Sequence, residues 1–137
     1  IGGPTMYYIY LIFFGMFGAL SRYGLSIVMG DTHFPAATLT SNLVGCFLLA
    51  FVMQYVMNIS SLSLKFTSAI GTGFIGSFTT FSTFALEIST FLQTGEYVYA
   101  GTYMFVSLFG GLVFCVFGYR LSDSLLNRIR RRHGTDG

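Results

Sequence analysis

The chain has 137 residues, of which 53% are hydrophobic and only 9% are charged. This composition excludes a soluble globular domain, because too few polar side chains are present to cover its surface. Seven of the 12 charged residues lie between Arg120 and Asp136. The sequence therefore predicts a membrane protein with a basic C-terminal tail.

Four stretches are apolar and long enough to cross a hydrocarbon layer of about 30 Å, which takes about 20 helical residues. They cover residues 5–28, 36–57, 66–93 and 97–119. Because the loops between them are short, we expect successive helices to be antiparallel neighbours. The fold predicted is all-α: a single four-helix transmembrane domain over residues 1–137, with the basic tail at 120–137.

The basic residues predict the orientation of the helices. Lys65 and the tail arginines share a side with the N-terminus, whereas the loops at 29–35 and 94–96 contain no Lys or Arg. The positive-inside rule therefore places both termini in the cytoplasm. Small residues four apart occur in every span, as in Gly15 and Ala19, which predicts close helix packing and favours a homo-oligomer.

Two further features have simple interpretations. The basic run at 128–133 is interpreted as the positive flank of the last helix, beside membrane lipids, and not as a nucleic-acid site. Cys46 and Cys115 lie in apolar stretches without metal-ligand spacing. They are interpreted as buried free thiols, neither a zinc site nor a disulfide framework.

The third span is unusually polar. Between Thr67 and Thr94 it holds eleven Ser or Thr residues, many of them in GFIGSFTTFSTFALE at 73–87. Glycines and hydroxyl residues weaken a helix, so we expect a break at mid-membrane. Such a break is tolerated only where the freed backbone groups are buried in protein, bind an ion or line a wet cavity. The alternative is an intact helix whose hydroxyls bond back to the preceding turn.

Aromatic residues run alongside these hydroxyls. Phe78, Phe81 and Phe84 recur every three residues and form a stripe on one side of the segment. Such a stripe packs against neighbours or lipid, or it presents its ring edges to an anion, since the edges carry the positive part of the quadrupole.

Other polar residues lie within the spans. Asn42 is a hydrogen-bond link between helices or a donor to an ion. Arg22 stays charged and must find an acceptor, a vestibule or the headgroups. Glu87, the only carboxylate inside a span, is protonated, paired or facing water. Tyr103 and Ser107 add hydroxyls on one side of the fourth span. Donors outnumber charges, which suits a hydrated anion that must enter and leave.

Three motifs resemble those of the Fluc (CrcB) fluoride channels: GMFGALSRYGLS at 15–26, TLTSNLVGCFLLAF at 38–51 and GFIGSFTTFSTFALE at 73–87. The resemblance covers nearly all of the four spans and leaves out the arginine tail. It implies a passive fluoride-selective channel of the bacterial plasma (inner) membrane that exports fluoride from the cytoplasm. It also implies an antiparallel, dual-topology homodimer with two pores and one structural sodium ion (Na+) at the dimer interface.

The resemblance also assigns roles to residues. The fluoride pathway would be lined by Asn42, Thr80, Phe81, Ser82, Phe84, Tyr103 and Ser107. Arg22 and Glu87 would lie at the vestibule, and the backbone carbonyls of Gly76 and Thr79 would hold the sodium ion. Gly111 departs from the pattern, since some relatives have another hydroxyl there.

These patterns favour a channel over an enzyme, because no nucleotide-binding loop, catalytic triad or metal-hydrolase spacing occurs in the sequence. The alternative function is a small proton-coupled multidrug exporter, which needs a carboxylate in the first helix, where residues 5–28 have none. A non-transporting assembly protein would explain the small residues but not the hydroxyl and phenylalanine segment. An antiparallel homodimer also conflicts with the single orientation that the basic residues favour.

Overall fold

The computed structural model describes residues 3–59 and 63–134, and within these ranges the regular structure is entirely helical. Three spans are continuous helices: α1 (Pro4–Met29), α2 (Ala36–Ile59) and α6 (Tyr97–Gly134). The third span is divided into α3 (Leu64–Ala69), a π-helical turn (Ile70–Ile75), α4 (Gly76–Phe78) and α5 (Phe81–Gln93). All four are long and apolar enough to cross a membrane, as the sequence predicts.

Local sequence explains where the helices begin and end. Pro4 lies in the first turn of α1, where its missing N–H is not needed. Gly30 follows α1 with a φ of 69°, a left-handed conformation that glycine adopts without strain. The hydroxyl of Thr80 accepts a hydrogen bond from the N–H of Thr83 at 3.3 Å and caps the start of α5.

The predicted break in the third span is present. Thr79 and Thr80 have extended backbones, with φ −87° and ψ 158° for the first and φ −151° and ψ 120° for the second. They separate α4 from α5, so the alternative of an intact helix is wrong. The hydroxyl of Thr79 nevertheless donates to the carbonyl of Ile75 at 2.9 Å, which is the bond to the preceding turn that this alternative expected.

The most extensive helix packing joins alternate spans. α1 packs mainly against the π-helical turn and α4, and α2 packs mainly against α6, whereas successive helices touch less extensively. In the first pair the contacting residues advance together along both segments, from Phe14 with Phe66 to Arg22 with Ser77. These two segments therefore run parallel, and each successive helix reverses direction.

Glycines allow this close packing. A Cβ atom at Gly18 would collide with the backbone carbonyl of Phe74, and one at Gly73 would lie 2.8 Å from a carbonyl oxygen of α1. In the other pair a Cβ atom at Gly118 would collide with the carbonyl of Phe47. Helix backbones thus touch through small residues, which is the usual basis of helix association in lipid.

α6 continues past residue 119, where its apolar stretch ends. The helix runs without interruption to Gly134. Ser122 and Leu126 are buried at positions four and eight residues beyond Gly118, so this part of α6 still packs against α2. The sequence predicts a membrane span over 97–119, and the helix extends 15 residues beyond the end of that span, because one-sided packing continues where hydropathy falls.

The two cysteines are free, as predicted, but they are half-buried instead of buried. The thiol of Cys115 donates to the backbone carbonyl of Cys46 at 3.6 Å. The cysteines therefore lie at the contact between α2 and α6, where they help to pack the two helices.

Candidate functional site

The break in the third span lies between two clefts. The first has a volume of about 520 Å³ and lies between α1, α2 and α5. The second has a volume of about 880 Å³ and lies between α2, the third span and α6. Thr80 lines both clefts, so the broken backbone forms part of the wall that divides them.

Asn42 fixes the backbone of the break. Its Nδ2 donates to the carbonyl oxygen of Thr80 at 3.0 Å, and its Oδ1 accepts from the N–H of Thr80 at 2.8 Å. Both backbone polar groups of an extended residue are thereby satisfied by one side chain. Asn42 is thus a link between helices, one of the two interpretations that the sequence left open. It also lines the second cleft, and Nδ2 carries one hydrogen beyond the bond to Thr80.

Arg22 binds the broken segment from α1. Its Nε donates to the carbonyl oxygen of Ser77 at 3.1 Å. The end of α4 leaves this carbonyl without a helical N–H partner, so the guanidinium caps it. Arg22 is half-buried and lines the first cleft together with Asp31 and His33.

Glu87 is held by hydroxyls from two other helices. Oε1 accepts from the Thr38 hydroxyl at 2.7 Å, and Oε2 accepts from the Tyr103 hydroxyl at 2.8 Å. Of the open interpretations of Glu87, pairing is the one that the contacts support. Tyr103 is fully buried, and its hydroxyl points to Glu87 in the first cleft. It is therefore separated from Ser107, with which the sequence placed it in one line.

The phenylalanine stripe divides into a packing residue and two cleft residues. Phe78 is buried and stacks on Phe74, with ring centroids 6.1 Å apart. Phe84 is half-buried and lies 5.0 Å from Tyr103 and 5.9 Å from Phe81, measured between ring centroids. Phe81 is 80% exposed. Both Phe81 and Phe84 line the second cleft.

The hydroxyls assigned to the pathway occupy different places. Ser107 lines the second cleft, and its Oγ is buried without a hydrogen-bond partner among the residues described. Ser82 is exposed with its Oγ 3.4 Å from the hydroxyl oxygen of Thr80, and it lines neither cleft. Of the seven pathway residues, the second cleft brings together Asn42, Thr80, Phe81, Phe84 and Ser107.

The backbone at the break has the right chemistry for a sodium ion. Gly76 and Thr79, whose carbonyls are the predicted ligands, both line the second cleft. In a continuous helix the N–H of Thr80 would bond to the carbonyl of Gly76, but Asn42 takes that N–H. The Thr79 hydroxyl is committed to Ile75. Carbonyl oxygens of interrupted helices are known sodium ligands, so these residues fit the ion.

Sequence reasoning missed two residues of the first cleft. Thr38, which binds Glu87, lies four residues before Asn42 and therefore on the same face of α2, a spacing that could have identified it. His33 Nε2 lies 2.6 Å from Glu96 Oε2 and joins two loops. No local pattern predicts the pair of His33 and Glu96, because these two residues lie 63 positions apart in the chain.

Comparison with known proteins gives consistent matches. Residues 9–119 match the family model described as CrcB-like protein, Camphor Resistance (CrcB). The fluoride-specific ion channel FluC 2 of Listeria innocua is 50% identical, over 90% of this chain and 95% of its own length. FluC 2 of Listeria monocytogenes serotype 4b is 46% identical, over 93% and 98%. FluC 1 of Bacillus cereus is 44% identical, over 90% and 89%. These relatives are named as ion channels and not as enzymes.

Proposed function

This chain belongs to the CrcB family, and from that premise we propose that it is a fluoride-specific ion channel. The observation that carries the proposal is its 50% identity, over 90% of the chain, to a protein named as such a channel. The four candidate membrane spans agree with this function. We infer that the channel lies in the bacterial plasma membrane and passively releases fluoride from the cytoplasm.

The chemistry of the second cleft supports an anion as the transported ion. Among the residues described, its lining contains no Asp or Glu. The unpartnered Oγ of Ser107 and the remaining Nδ2 hydrogen of Asn42 replace water molecules around fluoride. The ring edges of Phe81 and Phe84 add a weak positive potential. The described side chains of this lining include no Lys, Arg or His, so the side chains hold the ion weakly enough for it to leave again.

The first cleft is proposed as the vestibule. It contains Arg22, whose charge attracts anions, beside two acidic residues, Asp31 and Glu87. Both carboxylate oxygens of Glu87 accept hydrogen bonds from hydroxyls. The predicted pathway roles of Ser82 and Tyr103 stay predictions. Ser82 lies beside the break, and Tyr103 reaches the vestibule through its bond to Glu87.

We further propose an antiparallel homodimer with two pathways. The second cleft is open at the surface of one copy, where Phe81 is 80% exposed and Gly76 is also exposed. Backbone polar groups at membrane depth must be covered by protein, water or an ion. A second copy on this surface would bring the carbonyls of Gly76 and Thr79 from both chains around one structural sodium ion. Such an ion supplies fixed positive charge at the contact between the two copies.

No observation favours the multidrug exporter. α1 contains no carboxylate, and Glu87 already accepts two hydrogen bonds. The two functions are separated with purified protein in liposomes, with and without an imposed proton gradient. A channel releases fluoride in both conditions at a rate set by the fluoride gradient and the voltage. An exporter instead accumulates a quaternary-ammonium dye only when the proton gradient is present, and that result would overturn the proposal.

A further inference from the structure

The two cysteines face each other across the contact between α2 and α6. The thiol of Cys115 donates to the backbone carbonyl of Cys46 at 3.6 Å, and the two thiols lie close enough for a hydrogen bond between them. They are 69 positions apart in the sequence, so the packing of the two helices brings them together. We call Cys46 and Cys115 the cysteine pair.

The cysteine pair can be reached from the second cleft. Cys46 lines this cleft, and both cysteines are half-buried. The Cβ position that Gly111 leaves empty lies 3.5 Å from the Cys46 sulfur, so this sulfur has free room on the side of α6. A small solute that enters the cleft therefore reaches the sulfur of Cys46 and finds the sulfur of Cys115 beside it.

The cysteine pair offers a metal ion two soft ligands. No third Cys, His, Asp or Glu is grouped with them among residues 3–59 and 63–134. A structural zinc ion takes four ligands in a tetrahedron, so two thiols are too few to hold zinc. Since thiolates prefer soft metals, the pair fits a soft ion that is satisfied by two ligands in a line.

The apolar surroundings restrict the charge of that ion. Both cysteines lie in candidate membrane spans, where a net charge is expensive. Two thiolates bind a divalent ion as a neutral unit, whereas with Cu(I) or Ag(I) they leave one negative charge. Hg(II) is a soft divalent ion that takes two thiolates in a line, so its complex suits this site.

We propose that the cysteine pair is a binding site for the mercuric ion, Hg(II), which bridges α2 and α6. Two S–Hg bonds form, two S–H bonds break and the two protons pass to water, so the step needs no oxidant or reductant. Neither cysteine is among the residues assigned to the fluoride pathway. The inference therefore goes beyond the proposed channel activity and does not depend on it.

The proposal is tested by mercury retention in the full-length, reduced protein in detergent. Each chain is loaded with one equivalent of mercuric chloride and titrated with glutathione, and the bound metal is measured by mass spectrometry. The wild type gains one mercury atom and loses two hydrogen atoms per chain. Because two linked thiols hold the ion together, we expect its half-release to need at least about tenfold more glutathione than in Cys46→Ser or Cys115→Ser.

A matched control keeps two thiols in the chain but separates them. In the double variant Cys115→Ser and Ser124→Cys, the second thiol is at an exposed position nine residues farther along α6, which is about 14 Å along the axis. We expect this variant to release mercury as easily as the single variants. Elution of each metal-free variant as wild type in size-exclusion chromatography shows that it is folded, and alanine replaces serine where the elution differs.

Three results would overturn the proposal. Release from the wild type at the same glutathione concentration as from the single variants would show that the thiols bind separately. Retention by the control variant equal to that of the wild type would show that the number of thiols is sufficient. One mercury atom per two chains would place the metal between copies instead of between α2 and α6. None of these measurements uses fluoride transport, so this test is separate from the test of the channel.

Discussion

Asn42→Asp removes one of the two hydrogen bonds that the Asn42 amide makes and keeps the other. The wild-type side chain donates to the Thr80 carbonyl at 3.0 Å and accepts from the Thr80 N–H at 2.8 Å. A carboxylate keeps the acceptor but places a second oxygen against the Thr80 carbonyl. The loss of one hydrogen bond between helices costs about 0.6–1.7 kcal/mol of stability in a membrane, which leaves most of the protein folded.

The new negative charge affects fluoride flux more than the lost hydrogen bond does. A carboxylate about 4 Å from a passing fluoride raises the energy of the ion by about 1 kcal/mol in water and by about 4 kcal/mol at an effective dielectric constant of 20. Because about 1.4 kcal/mol corresponds to a tenfold change in rate, we expect fluoride flux to fall between about fivefold and a thousandfold.

The assay is fluoride efflux from liposomes, followed with a fluoride electrode at matched protein content, with size-exclusion chromatography to check assembly. Asn58→Asp is the matched control. Asn58 lies at the exposed end of the same helix, and its amide donates only to the carbonyl of Gln54 in the described contacts. Flux for Asn42→Asp within twofold of both the control and the wild type would refute the assignment of Asn42 to the pathway.

Four other variants test the site and the packing. Phe81→Ile or Phe84→Ile lowers fluoride flux at least tenfold with assembly intact, because isoleucine has no ring edge. The control is Phe13→Ile, on the exposed face of α1. Flux equal to that of this control would contradict the role of the two rings. Thr79→Ala keeps the sodium dependence of flux, since the Thr79 hydroxyl is committed to Ile75; loss of that dependence would indicate a side-chain ligand. Gly18→Ala lowers the Tm, because the added Cβ collides with Phe74 at a cost of about 1–3 kcal/mol. The control is Gly24→Ala, where an added Cβ meets nothing within 4 Å. A Tm equal to that of this control would contradict the packing.

Features encoded in continuous stretches of sequence could be predicted. The first two spans were predicted at 5–28 and 36–57 and are found at Pro4–Met29 and Ala36–Ile59, because uninterrupted apolar runs define them. The break was predicted from glycines and hydroxyl residues and is found at Thr79 and Thr80. Apolar run length is sufficient for the first result, and local helix propensity is sufficient for the second.

Features that depend on how helices rotate against each other could not be predicted. The bonds from Asn42 to Thr80 and from Arg22 to Ser77 join residues 38 and 55 positions apart, and no local pattern selects them. With 17 glycines in the chain, spacing alone did not identify Gly18 as a point of backbone contact. The length of α6 was missed for a similar reason, since the buried side of its residues 120–134 is defined by α2 and not by hydropathy.

Fluoride-selective conduction is measured by comparing fluoride and chloride efflux from liposomes that contain the wild-type protein, with a potassium ionophore to clamp the voltage. We expect rapid release of fluoride and retention of chloride. Equal release of the two ions would contradict a fluoride-selective pathway, and release of neither ion would contradict channel function.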